Sequence, residues 1–362
     1  MTLLRPTAEA ACAGRAVRRP GTGRALTVLA LLAVGALIPL LGPAAALHGT
    51  GETAAPGTAG VALLRTALFA ALAVPLGELF VERLARGLPG APADRPRDWT
   101  PYALGVGFLA ALGLALEVAS GSPVTHHVTH HLTGMDVGGL RRTRDGLLAL
   151  FEVNAFLVAG LCALSRRPGT RLWPLAAVIV AEALRAHPPA EYFAPAGSLL
   201  TLVHLTCAAL WTGGLLHALR VLRRWRSAGT AGAALLGRYA RVAAALFAAV
   251  TATGVCSTLR RMPSGTLLDH LATTAYGRAL LAKVLLVAAA ALLALAARGR
   301  LRRATGAAER GGPAAPDTAP PPDLPTARTP LTAYAPARAE IAALGVAVAL
   351  SGLLTALPLP AR

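Results

Sequence analysis

Residues 201–219 read TLVHLTCAALWTGGLLHAL, without one Asp, Glu, Lys or Arg. A helix rises about 1.5 Å per residue, so about 20 apolar residues cross the hydrocarbon core of a bilayer. This stretch, extended to 198–219, is therefore read as a membrane span. Eight further segments read the same way or nearly so: 26–47, 60–82, 100–119, 146–164, 172–186, 238–258, 276–297 and 340–357. The 172–186 segment is short for a simple span. Pro39, Pro43 and Pro75 fall inside apolar runs, which lipid-embedded helices tolerate when neighbours satisfy the freed backbone groups. The expected fold class is all-α: a polytopic transmembrane helix bundle of about nine spans.

Composition agrees. Of the 362 residues 55% are hydrophobic and 14% charged, against about 25% charged in a soluble domain. Mean hydropathy is +0.56. A soluble enzyme, a disordered tail and a secreted disulfide scaffold are all disfavoured, and four Cys make no disulfide framework. The excess of 35 Lys and Arg over 17 Asp and Glu would suggest nucleic acid in a soluble chain. In a membrane chain it reports orientation.

With the N-terminus in the cytoplasm, the inner segments hold 25 cations and the outer ones 7. Arg65, Arg185 and Lys283, the single lysine, lie at or within helices. The positive-inside rule then predicts a cytoplasmic (inner) membrane protein with its N-terminus in and its C-terminus out. Trp99, Trp173 and Trp225 fall at expected inner interfaces. The basic start, apolar run and Ala44-Ala45-Ala46 also fit a signal peptide. Cleavage there would leave eight spans.

The expected organisation is a basic cytoplasmic N-terminus (1–25), a bundle of about five helices (26–197) with an outer His-rich loop (120–145), a three-helix core (198–298), a disordered cytoplasmic linker (299–338) rich in Pro, Ala and Thr, and a final helix (339–362).

Orientation set by Arg and Lys alone puts His48, His126, His127, His130, His131, His187 and His270 on the outer side. His204 lies about 9 Å below the outer end of its helix. Met135 and Met262 are also outer. In THHVTHHLTGMD (125–136), His126/His130 and His127/His131 are i,i+4 pairs if helical, a spacing that lets two imidazoles meet one metal. Imidazole suits copper and zinc, and thioether selects Cu(I). The plain alternative is a solvated polar loop.

Glu117, Glu152, Glu182, His204 and Lys283 place five ionisable groups from five helices in one outer layer. Intramembrane charge is expensive and marks function. The structural alternative pairs Glu182 with Arg185, and Lys283 with Glu152 or Glu182. Glu78 and Glu82 are expected at a solvated inner end. His204 and Trp211 share a helix face, Cys207 lies about 60° from it, and Gly213-Gly214 allows close helix approach.

His204 followed by Leu210-Trp211-Thr212-Gly213-Gly214 resembles the H-x(6)-W-x-G-G signature of the copper resistance protein D family. GRYARVAAALFAAVTATG (237–254), Tyr276-Gly277-Arg278-Ala279-Leu280-Leu281-Ala282-Lys283 and EIAALGVAVALSGLLTALPLP (340–360) resemble its later elements, in order. The resemblance covers about 198–357. It implies copper handling at the bacterial inner membrane, with copper, Cu(I) or Cu(II), as the ion taken up or bound, and His204 and Lys283 as positions of interest.

Three functions compete. The first is a copper transporter in which His126, His127, His130, His131, Met135 and Met262 capture the ion. His204 and Cys207 then pass it inward, with Glu152, Glu182, Lys283 and Trp211 in support, and a periplasmic or extracellular copper-binding protein is a candidate partner. The second is a haem-binding redox protein, disfavoured because the deep His204 and His217 share one helix. The third is a copper sensor or assembly factor that does not transport. No nucleophile–base set, P-loop or dinucleotide Gly motif is present, so an enzyme is not expected.

Overall fold

A computed structural model describes residues 22–53, 55, 57–120, 137–165, 168–189, 191, 193–225, 229–261, 265, 267–310 and 334–357. His126, His127, His130, His131, Met135 and Met262 lie outside them. Among the described residues the chain is helical, without a strand.

The helices are α1 (Thr22–Leu47), α2 (Thr58–Ala85), α3 (Thr100–Ser120), the short α4 (Val137–Arg142), α5 (Arg144–Ala163), α6 (Leu172–Arg185), α7 (Ala194–Arg224), α8 (Gly229–Arg261), the short α9 (Leu267–Thr273), α10 (Ala275–Arg310) and α11 (Tyr334–Leu354). Helices α2, α3, α5, α7, α8 and α10 are long and apolar enough to cross a membrane. The described apolar parts of α1 and α11 are shorter, at 33–47 and 342–354. α6 has 14 residues, about 21 Å of helix, too little for a full crossing. The expected bundle is present, with six clear spans and three shorter apolar helices. α10 runs on as helix to Arg310, well past the point where a linker was expected to begin.

α2 is the axis. It packs on α3, α7 and α11, while α5 packs on α3 and α6, α8 on α7, and α10 on α11. Lipid tails are as apolar as Leu, so helices associate through close packing and small residues rather than by escaping water. Glycines mark the crossings. A Cβ on Gly77 of α2 would strike the backbone of Gly213 on α7, and a Cβ on Gly213 would strike Ala73 O. A side chain at Gly352 of α11 would meet Ala62 and Thr66 of α2. A close-packing role for Gly213 was the expectation, and the structure supplies its partner.

Polar contacts sort the loops onto two faces. On one, Arg278 Nη1 donates to His48 O at 2.7 Å and Ala275 N to Glu52 Oε2 at 3.1 Å. There also Arg144 Nη2 donates to Leu184 O at 2.6 Å. On the other, Arg220 donates to Arg97 O, Trp225 Nε1 to Asp94 O at 3.1 Å, and Arg171 pairs with Asp98 at 3.6 Å. We call these the histidine face and the arginine face. They reproduce the two-sided partition that cation counting gave.

The arginine face corrects one expectation. Glu78 is not at a solvated end; it is 2% exposed. Arg220 Nη1 donates to its Oε1 at 2.7 Å, Trp99 N to the same oxygen at 3.1 Å, and Thr100 Oγ1 to Oε2 at 2.6 Å. The Arg220 guanidinium lies 3.8 Å from the Trp99 ring centre. Partial burial and the neighbouring Glu78 hold the Asp98 carboxyl above its ordinary pKa. Trp225 is also buried against the 88–95 loop instead of lying in an interfacial belt. Trp173 is 79% exposed.

The histidine face is closed by a side-chain chain. His187 is 3% exposed, with Nδ1 2.7 Å from Glu191 Oε2 and Nε2 2.9 Å from Thr201 Oγ1. Arg260 of α8 reaches Glu191 at 3.4 Å. Burial opposes the Glu191 carboxylate, but the His187 hydrogen bond and Arg260 outweigh it and hold its pKa below the ordinary 4.5. A depressed carboxyl contributes stability above its unfolded pKa and loses it as pH falls through the folded one. The thermal stability difference between wild type and Glu191→Gln should therefore be constant near neutral pH and shrink below about pH 4. A difference that does not change with pH refutes this role.

Candidate functional site

Five helices, α2, α7, α8, α10 and α11, enclose a cavity of about 240 Å³. His204 and Trp211 reach it from α7, Gly254 and Arg261 from α8, Tyr276 and Lys283 from α10, and Ser351 from α11. All four of the quoted sequence elements therefore meet at one place.

His204 is held by a partner that sequence reading did not pick out. Its Nδ1 lies 3.0 Å from Thr253 Oγ1. The Thr253 hydroxyl spends its one proton on the Ala249 carbonyl, at 2.7 Å, so its oxygen accepts from His204 Nδ1–H. The other nitrogen, Nε2, then carries the lone pair. That is the tautomer a metal-ligating imidazole needs, with its second nitrogen tied to a fixed partner. Gly254 lies beside the ring, where a Cβ would meet His204 Cε1 at 3.7 Å, an ordinary contact. Thr253-Gly254 was in view as a motif, but which helix it faces is not written in the sequence.

Trp211 forms the deep wall. It is 4% exposed and stands edge-on to Phe247 at 5.4 Å. Tyr239 Oη donates to Trp211 O at 2.7 Å, which fixes α8 on α7. At the entrance Arg261 Nη1 donates to Tyr276 Oη at 3.2 Å. A Cβ at Gly277 would strike His270, so the Tyr-Gly pair lets α9 turn tightly onto α10.

Other expected site residues lie elsewhere. Cys207 is half-buried and does not line the cavity, so it does not join His204 there. Glu152 and Glu182 sit beyond α2, in a buried quartet with two arginines. Glu182 pairs with Arg65 of α2 and with Arg185 at 3.4 Å. Arg185 Nη2 lies 2.9 Å from Glu152 Oε2. The Glu182–Arg185 alternative is thus present, but Lys283 clamps neither carboxylate. Arg65, placed by the sequence at or within a helix, was not singled out as a partner of Glu182. Among the described residues no three His, Cys, Asp or Glu side chains converge as a metal site.

No curated protein and no solved structure matches the chain. A family model does match, over residues 233–354, and its description is copper resistance protein D. The match takes in Thr253, Gly254, Tyr276 and Lys283; His204 lies outside it, but hydrogen-bonds to a residue within it. Residues 233–354 of this multi-helix membrane protein are thus similar to the copper resistance protein D family.

Proposed function

We propose that the protein carries copper across the cytoplasmic membrane, inward from the histidine face, as part of copper resistance or homeostasis. The N-terminus is then cytoplasmic and the C-terminus outside. The observation that carries the reading is His204. Its Nδ1–H is anchored on Thr253, its Nε2 is left as a lone-pair donor, and the cavity it lines is built largely from the matched segment. A single neutral imidazole suits the soft monovalent ion, Cu(I), which accepts few ligands. His126, His127, His130, His131, Met135 and Met262 serve as capture residues at the outer surface, and Cys207 as a later ligand along α7.

The test is metal content. Purified wild type loaded with Cu(I) should retain copper. His204→Gln keeps a polar side chain of similar size but offers no imidazole, and should lose at least about tenfold in affinity. Thr253→Val, which frees the ring's orientation, should lose part of it, within the 10–100-fold typical of partners that hold a metal ligand in place. Equal copper in wild type and His204→Gln sinks the ligand assignment. Equal accumulation in cells with and without the protein sinks transport.

A further inference from the structure

We propose that the same cavity binds a single-chain amphiphile with an anionic head, a long-chain carboxylate, its head at Lys283 and its chain along the wall that carries Trp211.

The charge distribution points there first. Among the described residues no Asp or Glu lines the cavity. Among the described residues Lys283 has no acidic partner, and the charged neighbour that acts on it is Arg261, a second cation. The buried carboxylates Glu152 and Glu182 are committed to Arg65 and Arg185. An ammonium inside a bilayer is costly when it meets neither an anion nor water. Here it faces a chamber that also presents the hydroxyls of Ser257 and Tyr276, while those of Thr258, Ser351 and Thr355 are spent on backbone carbonyls. Ammonium, guanidinium and hydroxyl donors without a competing acid make a site for a carboxylate.

The second observation is the shape of the apolar part. Beyond Lys283 the lining turns to Leu72, Leu205, Val287, Leu344 and Trp211. A small inorganic ion gains nothing from such a wall, whereas a hydrocarbon chain does. The third is the route. α8 packs on α7 and α10 packs on α11, but α8 and α10, the two long helices on either side of the short α9, are not packed side by side. Leu280, Lys283 and Val287, which line the cavity from α10, are only partly buried. A chain already in the bilayer can enter between them without its head crossing the membrane. The inference does not rest on the copper reading, and its assay contains no metal.

Bromine quenches tryptophan fluorescence at contact distance, and Trp211 is the tryptophan that lines this cavity. Full-length protein in phosphatidylcholine nanodiscs is titrated with dibromostearate and, separately, with dibromostearyl alcohol, which has the same chain and no charge. Saturable quenching by the carboxylate is expected, with the alcohol at least about tenfold weaker. Lys283→Met should weaken the carboxylate to the level of the alcohol, while Lys283→Arg, which keeps the charge, retains binding and reports an intact fold. Trp211→Phe should abolish the saturable component. Equal quenching by acid and alcohol, or undiminished binding in Lys283→Met, overturns the proposal. Displacement by acetate at the concentration where stearate displaces also overturns it, by showing a small-anion site.

Discussion

Replacing Glu182 with leucine should destabilise the folded bundle by about 3–5 kcal/mol, the cost of stripping one partner from a buried ion network. Glu182 is 3% exposed and is the one carboxylate that touches both arginines. Without it Arg65 and Arg185 face a single remaining acid, Glu152, which is fully buried. Two cations against one anion, away from water, are worse than no charges at all. The double variant Glu182→Leu with Arg65→Met restores the balance, leaving Arg185 and Glu152 as a pair at 2.9 Å. It should recover most of the loss, because a buried pair replaced whole by apolar side chains is often neutral. Thermal unfolding in mild detergent, followed by a thiol-reactive dye on the free cysteines, measures both. A double variant no better than the single one would mean that the quartet's charges are not what holds α2 to α6.

The quartet shows how far the sequence reaches. Hydropathy located every long helix, because each must be apolar over about 20 residues whatever its neighbours. Cation counting separated the loops into the two faces that the polar contacts later joined. The short-range pair Glu182 and Arg185 was legible because i,i+3 neighbours meet on any helix. Arg65 was not, since its partner is 117 positions away and nothing in the local pattern of α2 names α6. Lys283 failed in the opposite direction. Its position along the helix was legible, but that position does not say which side of α2 a residue faces. The carboxylates expected to pair with it proved to be on the far side. His204 lies between these cases. Its helix and motif were legible, while the hydroxyl that sets its tautomer comes from another helix and follows only from packing. Trp225 and Glu78 misled for one reason: the 88–99 loop folds back over the arginine face and buries residues that a simple span model leaves in the interface.

The crossing of α2 and α7 is where a single methyl-sized change should do the most damage to geometry. Gly213→Val places a branched side chain where Ala73 O and Gly77 already stand. These neighbours are backbone, so no rotamer change relieves the clash, and the two helices must separate. Overpacking of this kind costs about 1–3 kcal/mol when side chains can adjust; with none free to move, we expect at least the upper end. Position 160 of α5 is the control. Nothing lies within 4 Å of a Cβ there, and Gly160→Ala should be neutral or stabilising by up to about 1 kcal/mol through helix propensity. The separation has a second consequence. Trp211 and His204 are on the same helix as Gly213, so moving α7 off α2 shifts the cavity's inner wall against Thr253. Gly213→Val should therefore broaden or shift the tryptophan emission of the folded fraction and weaken His204-dependent copper retention together. Gly213→Ala, with a smaller intrusion, should fall between. A Gly213→Val protein as stable as wild type, with unchanged emission, would show that the α2–α7 contact is not the packing axis of the bundle.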